Sequence, residues 1–530
     1  MNSVKNYKDF ILHNKKIFSK NIKKNKSVFL IEFNNWQGVQ IANSYLINSI
    51  PYIKNCKIIA YEVFRDLSNK KFFILDNIKW FLATLFGIKN FGIYLSFGIN
   101  KFLYKKNSGK QLLEAKKITN NFFSNLKNKR DIENFSINGV WIGDLIYDSY
   151  LKKFFKPTIN LNCLDFQNFF KQCVANFLFW EEYFDNNRVK GLATSHTVYL
   201  HGIPLRIAVK RRIRTFHCVD SLLYKIDKKS CSFRNKTNGF DYHFKSYKKI
   251  FSKFKKTEKK IALNRGRIFL KNIISGKQKY FYFPDKKLIN KKKKYFLDNK
   301  KKKIVIFAHS FFDSPHVYGN FLFPDFYEWL KFLSQIAPKT NYDWYIKPHP
   351  NYDDMSSKIL DDFVKKNPII KKLDKNAPNN ELIKQGMKVV LTVYGSCAAE
   401  LPYMGVKVIN ADRNNPHSMY HFSFHPKNLT EYKDMILNID KKKLKFDNSD
   451  LYEFHYMNQY YFHNNYLFEN IGKKFLKKNK RQIMYTDQIF KDWMKNFSIT
   501  KHHKIINSIK KFYKSNDHYL STKHTKLYEK

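Results

Sequence analysis

Much of what defines this chain is missing from it. Its six cysteines (Cys56, Cys163, Cys173, Cys218, Cys231 and Cys397) form no CxxC pair and no metal-ligand spacing. Without a disulfide framework the chain fits a reducing compartment. Asp353-Asp354 and Asp361-Asp362 read as helix-start and exposed carboxylates, so no metal and no cofactor is expected. Residues 1–26 are polar and lysine-studded, with no apolar core ahead of a small-residue cleavage site, and no secretory signal is expected. No internal repeat is present. The segment Ile78 to Ile99 has the length of a membrane span, but Lys89-Asn90 sits at its centre, where a lysine costs about 2.5–3.5 kcal/mol. It reads as a buried or membrane-surface helical segment. The expected location is cytoplasmic, with peripheral contact at the inner membrane as the lesser alternative.

Acidic residues are also scarce, 43 against 98 Lys and Arg, which leaves a net charge of +55. Such a balance invites nucleic acid or an anionic membrane as partner. The excess is mostly lysine, spread through a chain also rich in Asn, Ile, Phe and Tyr, a mixture that an AT-rich coding sequence produces. Composition is therefore weighed ahead of a dedicated nucleic-acid site. Hydrophobic residues make up 43% and aromatics 17% of 530 residues, enough for two cores.

Strand and helix periodicities alternate along the chain. In the first half, Val28 to Phe33, Lys57 to Phe64, Val189 to Thr194 and Thr215 to Asp220 read as strands. Val39 to Ile50 reads as a helix, and Gly143-Asp144 follows a short apolar run. Between Lys225 and Lys303 the pattern dissolves into lysine-rich sequence, with runs at Lys291 to Lys294 and Lys300 to Lys303. Alternation resumes at Ile304. Strands are expected at 344–347, 369–373, 389–393 and 406–410, and helices at Asp325 to Ala337, Met355 to Lys366, Asn380 to Gln385 and Cys397 to Met404. This argues an α/β fold with doubly wound parallel sheets. The boundaries are 27–290 for the first domain, with 225–303 its edge and connection, 303–470 for the second, and 471–530 for a basic helical tail, mobile at its end.

Four motifs fall at expected strand ends of the second domain, where an open α/β sheet binds its ligands. They are His309-Ser310, Lys347-Pro348-His349-Pro350, Gly395-Ser396, and the loop Asp412 to His417. At a strand-to-helix turn, Gly395 permits close approach, and the Ser396 hydroxyl with nearby N–H groups can face a phosphate. The same dipeptide alone is an ordinary helix cap. His349 projects from a loop stiffened by two prolines and can hydrogen-bond or protonate a phosphate oxygen. Glu400, one turn after Ser396, can reach a ribose diol or simply face solvent. Arg413 and His417 are donors to an anionic ligand, or members of a surface turn. In the first domain Asp144, His196 and His201 lie at or near strand ends as candidates for acid–base work, none separable from structural roles.

The segments KPHP, TVYGSCAAELPYMGVKVI and NADRNNPHSMYHFSFHPKNLTEY together resemble the capsular polysaccharide biosynthesis glycosyltransferases, GT-B proteins related to bacterial Kdo transferases. They are more distantly similar to GT-B sialyltransferases and glycerophosphotransferases. The likeness is firmest from His309 to Tyr432. It implies two Rossmann-like domains facing across a cleft, with donor nucleotide held by the second and acceptor by the first, and no metal requirement. His349 and Ser396 match the family's donor-phosphate contacts, and Glu400 matches the acid of its GS-x-x-x-E pattern; no paired carboxylates mark the first domain. The expected activity is transfer of a sugar from a CMP- or UDP-linked donor to a capsular, cell-surface or lipid-linked acceptor. In that reading catalysis falls to His349, Asp144 and His196, and donor binding to His309, Lys347, His349, Gly395, Ser396, Glu400, Arg413 and His417. Two alternatives are an enzyme of the UDP-N-acetylglucosamine 2-epimerase type, with His349-Pro350-Asn351 as its loop, and a non-catalytic basic protein on nucleic acid or the inner membrane surface.

Overall fold

A computed structural model of the chain describes residues 2–18, 26–63, 70–220, 222–227, 243–277, 293–350, 352–462, 467 and 486–525. Cys231, Lys291, Lys292 and Asn351 lie outside the described residues. The first sheet contains β1 (Val28–Glu32), β2 (Lys57–Tyr61), β3 (Lys101–Leu103), β6 (Val189–Thr194), β7 (Arg214–Cys218) and β8 (Leu223–Ile226), in the order β3-β2-β1-β6-β7-β8. A small hairpin, β4 (Ser136–Ile137) and β5 (Val140–Trp141), stands apart from it. Every pairing in the sheet is parallel except β7 with β8. The second sheet is wholly parallel, β11-β10-β9-β12-β13, from β9 (Lys303–Phe307), β10 (Asp343–Lys347), β11 (Ile370–Lys372), β12 (Met387–Thr392) and β13 (Lys407–Asn410).

Both sheets thus begin at a central strand, wind outward in one direction, and return to build on the other side. The return places a topological switch point between β1 and β6 in the first domain and between β9 and β12 in the second, the position at which open α/β sheets bind their ligands. Continuous apolar runs explain the central strands. All five β1 residues are buried, as are Ile304, Val305 and Ile306 of β9, because helices cover both faces.

Several segments differ from expectation in instructive ways. The helix expected from Cys397 to Met404 is two 3-10 turns, Ser396–Ala399 and Leu401–Met404. Pro402 has no N–H to give the Ala398 carbonyl, so an α-helix cannot run through it. The segment from Ile78 is split into helices Lys70–Phe86 and Asn90–Ser96, broken at Gly87 with φ +58. No described helix is long and apolar enough to cross a membrane. Of the expected tail, 471–485 and the end at 526–530 lie outside the described residues, and the rest folds back with helices Gln488–Lys495 and Ile499–Lys514. Phe490 stacks on Phe10 of the N-terminal helix Asn2–Ile17 at 4.3 Å, and in the first domain His502 Nδ1 meets the Tyr45 hydroxyl at 3.1 Å and the Leu520 amide bonds the Leu223 carbonyl at 2.9 Å. Within the expected connection, helix Lys256–Ile274 packs against Asn448–Tyr456 so closely that a Cβ at Gly266 would lie 1.9 Å from the Tyr452 carbonyl oxygen.

Candidate active site

The strand-end loops of the two sheets meet along one seam. Tyr199, five residues beyond β6, sends its hydroxyl toward the Phe312 carbonyl at 3.4 Å and Asp313 Oδ1 at 3.5 Å, in the loop after β9. Tyr394, just past β12, donates to the Asp313 carbonyl at 3.2 Å. Behind this contact His316 Nδ1 lies 2.6 Å from Asp148 of the first domain, and Tyr147 donates to Asp325 at 2.6 Å. Burial would lower the His316 imidazole, but Asp148, with Glu133 beyond it, raises it to about 9.

On the first-domain side the organising residue is Glu32, the last residue of β1. Its carboxylate is buried and accepts from Thr194 Oγ1 at 2.7 Å, the Ser195 amide at 2.6 Å, the Ser195 hydroxyl at 2.7 Å and Asn34 Nδ2 at 2.8 Å. His201 Nδ1 stands 3.2 Å from it. Burial alone would raise the carboxyl, but His201 and the two Ser195 donors outweigh it and hold the group well below the usual carboxylate range. The end of β1 is thereby tied to the end of β6.

His196 follows directly. Its Nδ1 donates to the Ser195 carbonyl at 2.6 Å, and His217 Nε2 donates to the same oxygen at 2.8 Å. A carbonyl can only accept, so the His196 proton is fixed on Nδ1 and Nε2 carries a lone pair. Burial and then His201 lower its pKa, and burial lowers that of His217 to about 4. The Trp36 ring stands edge-on to His196 at 5.1 Å. Lys152, whose ammonium lies 4.1 Å from the Tyr199 ring centroid, has its pKa lowered by burial against the opposing pull of Asp313 and Asp148.

The second-domain rim is built similarly. His309, at the end of β9, accepts at Nε2 from the Val393 amide at 3.2 Å and lies 3.1 Å from the Thr392 hydroxyl, so it ties β9 to β12 as Glu32 ties β1 to β6. Burial, then His349, lower its pKa to about 3, which makes it a neutral post. His349 is half-buried after β10, with its ring 6.5 Å from Tyr352, whose hydroxyl donates to the His309 carbonyl at 2.7 Å. Gly395 has no room for a side chain, since a Cβ would lie 2.7 Å from Thr392 Oγ1. Ser396 is exposed and Glu400 half-buried. Lys347 donates to Asn379 at 2.6 Å. Burial first, then Glu400, push the Cys397 thiol up to about 12, while Lys347 acts the other way. His309, Lys347, His349, Gly395, Ser396 and Glu400 thus line one carboxyl edge. With only a 3-10 turn after Ser396, the helix-dipole part of the expected phosphate site is absent.

Three expected site residues are placed elsewhere. Asp144 sits in the first turn of helix Gly143–Phe154 and makes a bidentate pair with Arg206, 2.6 Å on each side, with Arg206 also bonding the Trp141 carbonyl at 2.8 Å. Both are buried, so the carboxylate is committed to holding Arg206 and has no opening to a substrate. Arg413 donates to the Lys427 carbonyl at 3.0 Å and to Asn320, which locks two loops together. His417 is buried with its ring 5.0 Å from Phe454, and burial holds it well below the usual range. Their loop is neither a donor edge nor a surface turn, since aromatic packing from Phe422 and Phe454 covers His417.

Glu32, Asn34 and Tyr394 were not singled out by the sequence. The one available signal was Glu32 itself, an acid closing an otherwise apolar run. Nearby, Asp412 is buried, with Oδ1 accepting from the Asn414 amide at 2.7 Å and Oδ2 without a hydrogen-bond partner; burial raises it to about 7. Among the described residues no three His, Cys, Asp or Glu side chains are grouped to hold a metal.

No family model matches the chain, and no curated protein matches it. Among solved structures, UDP-GlcNAc 2-epimerase from Neisseria meningitidis bound to UDP-GlcNAc is similar at 12% identity and TM-score 0.22, over 81% of this chain and 94% of that one. S. aureus MnaA with UDP is similar at 10% and 0.22, over 82% and 91%. Anabaena HepE in complex with UDP is similar at 8% and 0.24, over 89% and 100%. The fold itself rests on the two strand orders above.

Proposed function

We propose that this chain is a glycosyltransferase of the kind its motifs resemble, moving a sugar from a nucleotide-sugar donor to a cell-surface polysaccharide or lipid-linked acceptor. The observation that carries the reading is the seam at Tyr199, Asp313 and Tyr394. It brings the strand-end loops of two Rossmann-like sheets together, with a lone-pair imidazole on one side and the His349 and Ser396 rim on the other.

In this reading the donor phosphates lie along the second-domain edge, where Ser396 and His349 donate hydrogen bonds. Those contacts strengthen as negative charge grows on the departing nucleotide, so they favour the transition state over the ground state. Glu400 accepts from the donor's ribose hydroxyls. Across the seam, His196 Nε2 takes the proton of the acceptor hydroxyl as that oxygen attacks the anomeric carbon, a step worth about 10²–10⁴ in rate. Its lowered pKa keeps it neutral and ready to accept a proton at neutral pH.

The test is a thermal-shift series with UDP, CMP, GDP and CDP derivatives, followed by an assay of sugar release. A ligand that binds only the native state must raise the melting temperature. At least one nucleotide is expected to raise it in the wild type and to fail in Ser396→Ala and His349→Ala. No shift from any nucleotide overturns the reading. Conversion of a free UDP-sugar without any acceptor replaces it with an epimerase.

A further inference from the structure

From Ile78 onward, the helix Lys70–Phe86 carries an apolar face that is exposed among the described residues. Ile78, Phe81, Leu82 and Leu85 recur at the i, i+3, i+4, i+7 spacing of one helix face, and they are 50%, 63%, 41% and 63% exposed. Phe86 and Ile88 extend the patch through the turn, at 70% and 48% exposed. An isolated exposed leucine needs no explanation, but a contiguous aromatic and aliphatic stripe does. The opposite side of the helix is the anchored one. Trp80 packs on Phe33 at 5.7 Å and on Phe91 at 5.0 Å, which holds the stripe outward.

Two further observations say what covers it. The first is charge. Lys79 and Lys89 flank the stripe, both exposed, and helix Asn2–Ile17, bonded to the following helix Asn90–Ser96 through Asn14 and Ser96 at 3.1 Å, exposes Lys5, Lys8, Lys15 and Lys16. Apolar side chains rimmed by lysines on a chain of net charge +55 complement an anionic bilayer, since the rings enter the acyl boundary while the ammonium groups stay among the headgroups. A second copy of so basic a chain would meet the same lysines with repulsion. The second observation is position. Asn90, at the turn ending the patch, donates to Asn35 at 2.7 Å and accepts from Gln40 at 3.0 Å, and the Tyr94 hydroxyl accepts from the Asn34 amide at 2.9 Å. The helix that follows the patch is therefore hydrogen-bonded to the β1 loop that carries Trp36 against His196.

We infer that the Ile78–Ile88 face docks the protein onto an anionic membrane surface and sets the first-domain edge of the seam beside the lipid headgroups. Docking stands apart from the transfer reading; only its use in delivering a lipid-linked acceptor rests on that reading.

The full chain is sedimented with vesicles of phosphatidylcholine alone and of equal parts phosphatidylcholine and phosphatidylglycerol. Wild type is expected to sediment with the anionic vesicles, and F81S/L85S/F86S to lose at least about tenfold in affinity while melting as wild type does, because its changes lie at exposed positions. In a second measurement, Phe86→Trp is expected to shift its emission to the blue on adding anionic vesicles. Failure of the wild type to sediment, equal sedimentation of the triple variant, or an unmoved Trp emission overturns the proposal. So does a dimer in solution that the triple variant dissolves. None of these readouts depends on catalysis, so a failed docking test and a failed transfer reading are told apart.

Discussion

Glu32 holds Ser195 twice, through its amide at 2.6 Å and its hydroxyl at 2.7 Å, and so sets the carbonyl on which both His196 and His217 depend. The first domain's candidate base is positioned by a carboxylate that reaches it through another residue.

Replacing that carboxylate with an amide keeps the volume but puts an N–H where an acceptor was needed. Glu32→Gln is expected to cost about 1–3 kcal/mol of stability, the range for leaving buried partners unpaired. Turnover should fall more than donor affinity, and its pH profile should shift with His196. Because the folded pKa is depressed below the ordinary value of 4.5, the group stabilises the protein above that pH, and the gain is lost as pH falls through the lower folded value. Acid melts of wild type and variant should converge toward low pH. Parallel curves would contradict the linkage.

The His316–Asp148 contact between domains runs the opposite way with pH. The His316 pKa rises from 6.5 to about 9, so its contribution is complete below about 6.5 and is lost as pH rises through 9. The melting temperature should decline across that window, and His316→Gln should flatten the decline while lowering stability at pH 6.

His349 and His309 are predicted to separate in one experiment. His349→Ala and Ser396→Ala should each reduce transfer by about 10²-fold or more and leave the melt nearly unchanged. His309→Ala should lower both, since Val393 and Thr392 lose their shared partner. A His309 variant with a wild-type melt would contradict its role as a strand tie.

Gly266→Ala is expected to destabilise by about 1–3 kcal/mol, because the new methyl meets the Tyr452 carbonyl and the two helices must part. Chemical denaturation measures it, and a neutral result would show that the helix pair slides freely.

Sequence and structure agree best where burial repeats along the chain. In the first domain strand Val189–Thr194 has the expected bounds, and in the second the strands and the α-helices expected at 325–337, 355–366 and 380–385 fall within two residues of theirs, because apolar periodicity there is the direct imprint of two-sided burial. The two part where one residue overrides a period. Pro402 turned an apolar helical pattern into two 3-10 turns, and Arg206 drew Asp144 away from the edge that its Gly-Asp spacing suggested.

The residues alone determined that there are two parallel α/β layers, and they placed His309, Lys347, His349, Gly395 and Ser396 at strand ends, since both properties are local in the chain. Tertiary structure alone decided which side chains at those edges are open to chemistry. Glu32 and Ser195 stand 163 positions apart, and Tyr199 and Asp313 stand 114 apart. Contacts at such separations follow from strand order and domain docking, which no local pattern encodes.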